Sequence, residues 1–141
     1  AVGLLDALEI ERAHVVGASM GGMIAQLVAA TWPERTLSLT SIMSTTGNRR
    51  VPPARPEAFK ALTTPPPANA TLDEMIPHVT RIARAIGSPA YPAPEDRLAE
   101  RIARDFHRSF HPTGSARQLA AIIDDGCRRE RLKRVTAPAL V

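Results

Sequence analysis

The sequence predicts an α/β fold, a slice of parallel sheet interrupted by a helical insertion. Three observations carry this. The apolar run Ala13-His14-Val15-Val16 leads through Gly17-Ala18-Ser19-Met20-Gly21 into Gly22-Met23-Ile24-Ala25-Gln26-Leu27-Val28-Ala29-Ala30, which reads as strand, tight turn and helix. Leu37-Ser38-Leu39-Thr40-Ser41-Ile42-Met43 alternates apolar and polar residues as a second strand does. From Asn48 to about Pro112 the alternation stops, and prolines separate short stretches of helical spacing.

Taken in chain order, residues 1–10 read as the end of a helix that precedes the first strand, at 13–17. The helix after the turn closes at Trp32-Pro33-Glu34-Arg35, and the second strand follows at once. In the middle, Pro52-Pro53, Pro56, Pro65-Pro66-Pro67, Pro89, Pro92 and Pro94 are the breakers. Thr71-Leu72-Asp73-Glu74 forms a capping box, opening a helix on which Leu72, Met75, Ile76, Val79, Ile82, Ala83 and Ile86 recur. Pro77 is expected to kink or restart that helix early. The helix after Pro94 places Leu98, Ile102, Phe106 and Phe110 on one face, with Pro112 ending it, and a third helix runs from about Ser115 to Asp124. A last strand begins at Ala139. The organisation is thus a core segment with the turn at 1–47, a helical cap or lid at 48–112, and a return to the core at 113–141. Three strands are few for a doubly wound sheet and leave unpaired edges.

Composition narrows the function classes. The 18 basic and 14 acidic residues give a net charge of +4. The arginines are interleaved with acids, as in Glu95-Asp96-Arg97 and Glu100-Arg101, rather than gathered into a stripe with stacking aromatics, so no nucleic-acid partner is expected. The one basic cluster, Arg128 to Arg134, is broken by Glu130 and reads as a solvated helix face. Cys127 stands alone, which excludes an internal disulfide and a multi-cysteine metal site. No apolar run approaches the roughly 18 residues of a membrane helix, so no membrane partner is expected and the reading is cytoplasmic.

The pattern Gly17-Ala18-Ser19-Met20-Gly21 between strand and helix singles out Ser19 as a catalytic nucleophile. A serine hydroxyl is a poor nucleophile until a base takes its proton and donors stabilise the charge on the attacked carbonyl. A sharp turn presents the hydroxyl. Such a turn requires small neighbours two residues away, at Gly17 and Gly21, while Gly22 suits close helix packing. The backbone N–H of Met20, in the first helical turn, is the expected oxyanion donor, helped by the helix dipole. The plainer alternative is a serine that merely caps the helix, but a cap does not call for glycine on both sides.

Residues 13–26, followed by Trp32-Pro33-Glu34-Arg35 and the strand Leu37 to Met43, resemble the middle of an α/β-hydrolase. The closing Val135-Thr136-Ala137-Pro138-Ala139-Leu140-Val141 is similar to that family's lead into the strand carrying the catalytic acid. The tail Ser41-Ile42-Met43-Ser44-Thr45-Thr46-Gly47 is similar to esterase-like members of the aclacinomycin methylesterase type. The resemblance implies a partial α/β-hydrolase fold, a central fragment of a longer enzyme. It further implies a triad in the order serine, acid, histidine, of which these residues hold the first, and an insertion acting as a lid over the substrate, the plainer alternative being packing helices with no substrate contact. Serine at the turn argues against members with a carboxylate nucleophile.

Other candidates weigh less. His14 lies five residues before Ser19 along a strand, about 16 Å away, and reads as structural. His107 and His111 share a four-residue spacing but lack a third ligand, so no metal is expected. Asp124 and Asp125 end a helix rather than a strand, which argues against the triad acid; His78 and Cys127 have no assigned role. Ser44, Thr45 and Thr46 leave their strand at the same sheet edge as Ser19, so Ser44 or Thr45 either touches substrate or belongs to a plain loop. Tyr91 either reaches a pocket or covers core. The expected function is carboxylic ester hydrolysis on a small molecule through an acyl-enzyme at Ser19, with no cofactor. The alternatives are a non-catalytic binding protein of the same fold or an inactive truncated product.

Overall fold

The computed structural model describes residues 1–141 and divides them into two units, Ala1–Pro52 with Ile122–Val141, and Pro53–Ala121. The first holds helix α1 (Val2–Ala7), strand β1 (Ala13–Ala18), helix α2 (Met20–Thr31), a 3-10 turn (Pro33–Arg35), strand β2 (Thr36–Ile42), the short helix α7 (Arg129–Leu132) and strand β3 (Ala139–Leu140). All pairing is parallel in the order β1-β2-β3, with Val15 opposite Leu39, Ala18 opposite Ile42 and Thr40 opposite Leu140. Parallel neighbours need a crossover, and α2 supplies the one between β1 and β2.

Alternation decides which sheet face is covered. Val15 and Leu39 pack with Ala25 and Ala29 of α2 in the core of this unit. Small alanines let the helix lie close to the strands. On the opposite face, Val16, Ile42 and Leu140 are exposed, and His14 Nδ1 sits 2.7 Å from Ser38 Oγ. The turn after α2 is tied back to the start of β1 by Arg35, which donates to the carbonyls of Glu11 (2.7 Å) and Ile10 (3.0 Å) and pairs with Asp6.

The second unit contains α3 (Pro56–Thr63), α4 (Leu72–Ile86), α5 (Glu95–Arg108) and most of α6 (Gly114–Asp125). The capping box at Thr71 and Glu74 is formed in both directions. Of the kink or restart expected at Pro77, the restart does not occur: α4 runs as one helix from Leu72 to Ile86 through the proline. The proline forfeits the bond to the Asp73 carbonyl at a cost of about 3 kcal/mol, and the capped first turn together with packing of α4 against α3 and α5 outweighs this. Helix α5 stops at Arg108 instead of reaching Pro112. Ser109 is extended there, and Phe110, now outside the helix, folds back with its ring 4.8 Å from that of Phe106. Leu98 and Ile102 are buried as their spacing requires. Met75, Val79, Ile102, Phe106 and Phe110 line a cavity of about 420 Å³ with Arg101 and Asp105 beside them.

Candidate active site

Ser19 stands between the last residue of β1 and the first of α2 with φ 54° and ψ −120°, a conformation that L-residues seldom adopt. Such strain persists only where surrounding contacts over-determine it. The Ser19 N–H donates to the Ile42 carbonyl (2.9 Å), and the Ser19 carbonyl accepts from Gly22 N–H (3.0 Å), Met23 N–H (3.3 Å) and Ser44 Oγ (2.8 Å). The backbone is therefore held from β2, from α2 and from the segment after β2. The Ser19 side chain makes no cap hydrogen bond to α2, although the residue occupies the N-cap position, and it is exposed.

The glycines divide their tasks differently from the expectation. A Cβ on Gly17 would overlap the Gly21 carbonyl and lie 2.6 Å from the Gly22 nitrogen, so β1 and the first turn of α2 touch backbone to backbone. A Cβ on Gly21 would point into open space. The requirement for small residues on both sides is thus a requirement at Gly17 alone. Gly22 does serve close packing, since a Cβ there would meet Ser44 Cβ at 2.6 Å and Ser41 Oγ at 3.0 Å.

Met20 is the first helical residue, so its N–H has no carbonyl partner within α2. Of the expected substrate contacts, Ser44 lies beside Ser19 through the bond just described. Thr45 is next in sequence, but its hydroxyl accepts from Gly47 N–H (3.2 Å) and its carbonyl accepts from Arg128 (3.0 Å). Tyr91 lies in the second unit between α4 and α5 and is 84% exposed.

Arg128 departs from the solvated basic face expected of residues 128–134, whereas Arg129, Lys133 and Arg134 are exposed. Arg128 is 1% exposed, and its guanidinium donates to Gln26 Oε1, the Thr45 and Gly126 carbonyls and the Asp125 carboxylate. Desolvating a guanidinium is costly unless its donors are spent, and here they are. Asp125 also receives Arg131 (2.7 Å). Partial burial alone raises its pKa, but the hydrogen bonds and positive charges of Arg128 and Arg131 prevail and hold the carboxyl below the usual range. As the sequence indicated, Asp125 closes α6 rather than a strand. His107 lies in the last turn of α5 and His111 beyond it, and no cluster of three His, Cys, Asp or Glu residues able to hold a metal is present.

A family model described as the alpha/beta hydrolase fold matches residues 2–129. The chain belongs to the α/β-hydrolase family. Among curated relatives of this α/β-hydrolase chain, a 2-hydroxy-6-oxononadienedioate/2-hydroxy-6-oxononatrienedioate hydrolase of Paraburkholderia phymatum is 31% identical over 99% of the chain and 47% of its own length. A rhodomycin D methylesterase of Streptomyces sp. (strain C5) is 49% identical over 30% of the chain and 14% of its own length. A 2-hydroxy-6-oxo-6-phenylhexa-2,4-dienoate hydrolase of Comamonas testosteroni is 64% identical over 23% of the chain and 12% of its own length. The chain spans about half the length of the Paraburkholderia relative and aligns with it over nearly all of its own 141 residues. The relatives are named as hydrolases and esterases, so hydrolase chemistry is the family-level setting. No helix is long and apolar enough to cross a membrane.

Proposed function

We propose that this chain carries the nucleophile segment of a serine hydrolase that cleaves a carboxylic ester of a small molecule through an acyl-enzyme on Ser19. The strained, exposed backbone of Ser19 at the β1–α2 corner is the observation that carries the reading. Ser19 Oγ attacks the acyl carbon while a general base takes its proton. The tetrahedral oxyanion forms within reach of the Met20 N–H, and collapse expels the alcohol, reprotonated by the same base. Water then repeats the sequence to release the acid. The base and acid are proposed to come from the rest of a longer protein, since the relative that aligns with 99% of this chain is covered over only 47% of its own length. The 141 residues alone are accordingly expected to turn over little ester.

The helical insertion enters this reading as the family's lid, contributing substrate contacts, Tyr91 among them. The insertion's composition, aliphatic with few aromatics, favours a small or medium apolar substrate. A second reading, hydrolysis of a 2-hydroxy-6-oxo-dienoate, is favoured by the relative that matches 99% of the chain. A non-catalytic binding role is the third. Ser19→Ala in the full-length protein separates them: loss of p-nitrophenyl ester turnover with the fold kept supports the ester reading. Turnover confined to a dienoate substrate supports the second reading. Undiminished turnover in the variant removes Ser19 as nucleophile.

A further inference from the structure

The Ser19 corner is braced from a part of the chain more than a hundred residues away. After β2, Met43 takes a left-handed φ of 40°, and the segment Ser44–Gly47 runs between the corner and the turn joining α6 to α7. On one side Ser44 Oγ donates to the Ser19 carbonyl at 2.8 Å. On the other, the Arg128 N–H donates to the Thr46 carbonyl (2.8 Å) and Arg128 Nη2 to the Thr45 carbonyl (3.0 Å). Gly47, at φ 75°, lies so close to Gly126 that a side chain on it would overlap the Gly126 carbonyl. Gln26, buried on α2, joins the same system, receiving Arg128 Nε at 3.4 Å and donating to Ser41 Oγ at 3.0 Å. The segment is therefore clamped, and the clamp reaches the Ser19 carbonyl through one hydroxyl, the shortest of the three bonds that carbonyl accepts, beside those from the Gly22 and Met23 N–H groups of α2.

That hydroxyl acts on a particular peptide unit. The Ser19 carbonyl and the Met20 N–H belong to one planar trans peptide, so fixing the direction of the carbonyl fixes the N–H pointing the opposite way. A hydrogen bond accepted by the carbonyl also polarises the unit and strengthens its N–H as a donor. We infer that Ser44 and Arg128 are positioning residues for the Met20 N–H: Arg128 clamps the Ser44–Gly47 segment, and Ser44 aims the Ser19–Met20 peptide. This rests on the reading of Ser19 as nucleophile and Met20 N–H as oxyanion donor. Ser44 thereby takes a role different from the direct substrate contact expected of it. An effect on the oxyanion donor belongs to the transition state and should appear in kcat rather than KM.

The test measures kcat and KM for p-nitrophenyl butyrate, and the rate of covalent labelling by a fluorophosphonate, in the full-length protein well below its unfolding temperature. Ser44→Ala should lower kcat and the labelling rate about 3- to 10-fold with KM held within about twofold, the loss of one hydrogen bond's orientation. Arg128→Lys, which keeps the charge but not the fork of donors, should lower kcat likewise, and the double variant should lose no more than the worse single variant. Wild-type kcat in Ser44→Ala, a change confined to KM, or losses that multiply in the double variant would overturn the inference. Should Arg128→Lys not fold, Ser44→Ala alone still decides. A wild-type protein that neither turns over ester nor labels at Ser19 would sink the nucleophile reading and this inference with it. A reactive wild type with an unaffected Ser44→Ala would sink only the inference.

Discussion

Replacing Gly17 with alanine should do disproportionate damage for a single methyl group. The new carbon would overlap the Gly21 carbonyl and approach the Gly22 nitrogen to 2.6 Å, both main-chain atoms that no side-chain rotation can move aside. To restore even a tight contact, the first turn of α2 must retreat from β1 by about 1 Å, at an overpacking cost of about 1–3 kcal/mol. The same retreat carries Ser19 and the Met20 N–H with it, because they are the residues joining the two elements. A misplacement of that size costs roughly 100-fold in a positioned reaction. The internal control is Gly21→Ala, where the methyl meets open space within a helix and should leave stability unchanged or raise it by about 0.5–1 kcal/mol. Urea denaturation and p-nitrophenyl ester turnover, run on both variants, test the contrast. Equal behaviour of the two, or a Gly17→Ala protein as stable and active as wild type, would refute the backbone-contact argument.

Further outcomes follow from the same contacts. Arg128→Met leaves Asp125 beside an apolar chain and strips the donors from Gln26 and Thr45, so it should destabilise the fold by about 3 kcal/mol in chemical denaturation. The Asp125 carboxyl, with its folded pKa below the ordinary 3.8, contributes stability that is full above pH 3.8 and is lost as pH falls through the depressed value. Asp125→Asn should therefore flatten the acid limb of the stability profile below about pH 4, and an unchanged limb would show that the pairing carries no such linkage. Thr71→Ala removes the hydroxyl half of the capping box and should cost about 1 kcal/mol, read as a lowered melting temperature without loss of activity. Val16, Ile42 and Leu140 leave one sheet face exposed, so the isolated 141 residues should self-associate in sedimentation, and Val16→Thr with Ile42→Thr should reduce it.

The features legible in the sequence are those whose causes are local. Strand, turn and helix around Ser19 follow from neighbouring residues, and the parallel three-strand sheet and the Thr71 cap appear where the patterns placed them. Reach in sequence set the boundary. The charged neighbours of Arg128 point to solvent, but it bonds Gln26 and Thr45, 102 and 83 residues away, which no window around Arg128 contains. Pro77 does not restart α4 for a related reason, since the packing that holds α4 together comes from α3 and α5. The different duties of Gly17 and Gly21 depend on which residue's missing side chain faces the other's main chain, and the symmetry of the motif conceals that. The place of Ser44 at the sheet edge is legible in the sequence, but the partner of its hydroxyl is set by the approach of the segment to α2, which Gly22 permits.

The most direct test of the central claim is to treat the full-length protein with a fluorophosphonate and map the modified peptide by mass spectrometry. One adduct per chain on Ser19, absent from Ser19→Ala and formed in step with loss of ester turnover, is the predicted result. An adduct on another residue, or full turnover in a protein labelled at Ser19, would contradict it.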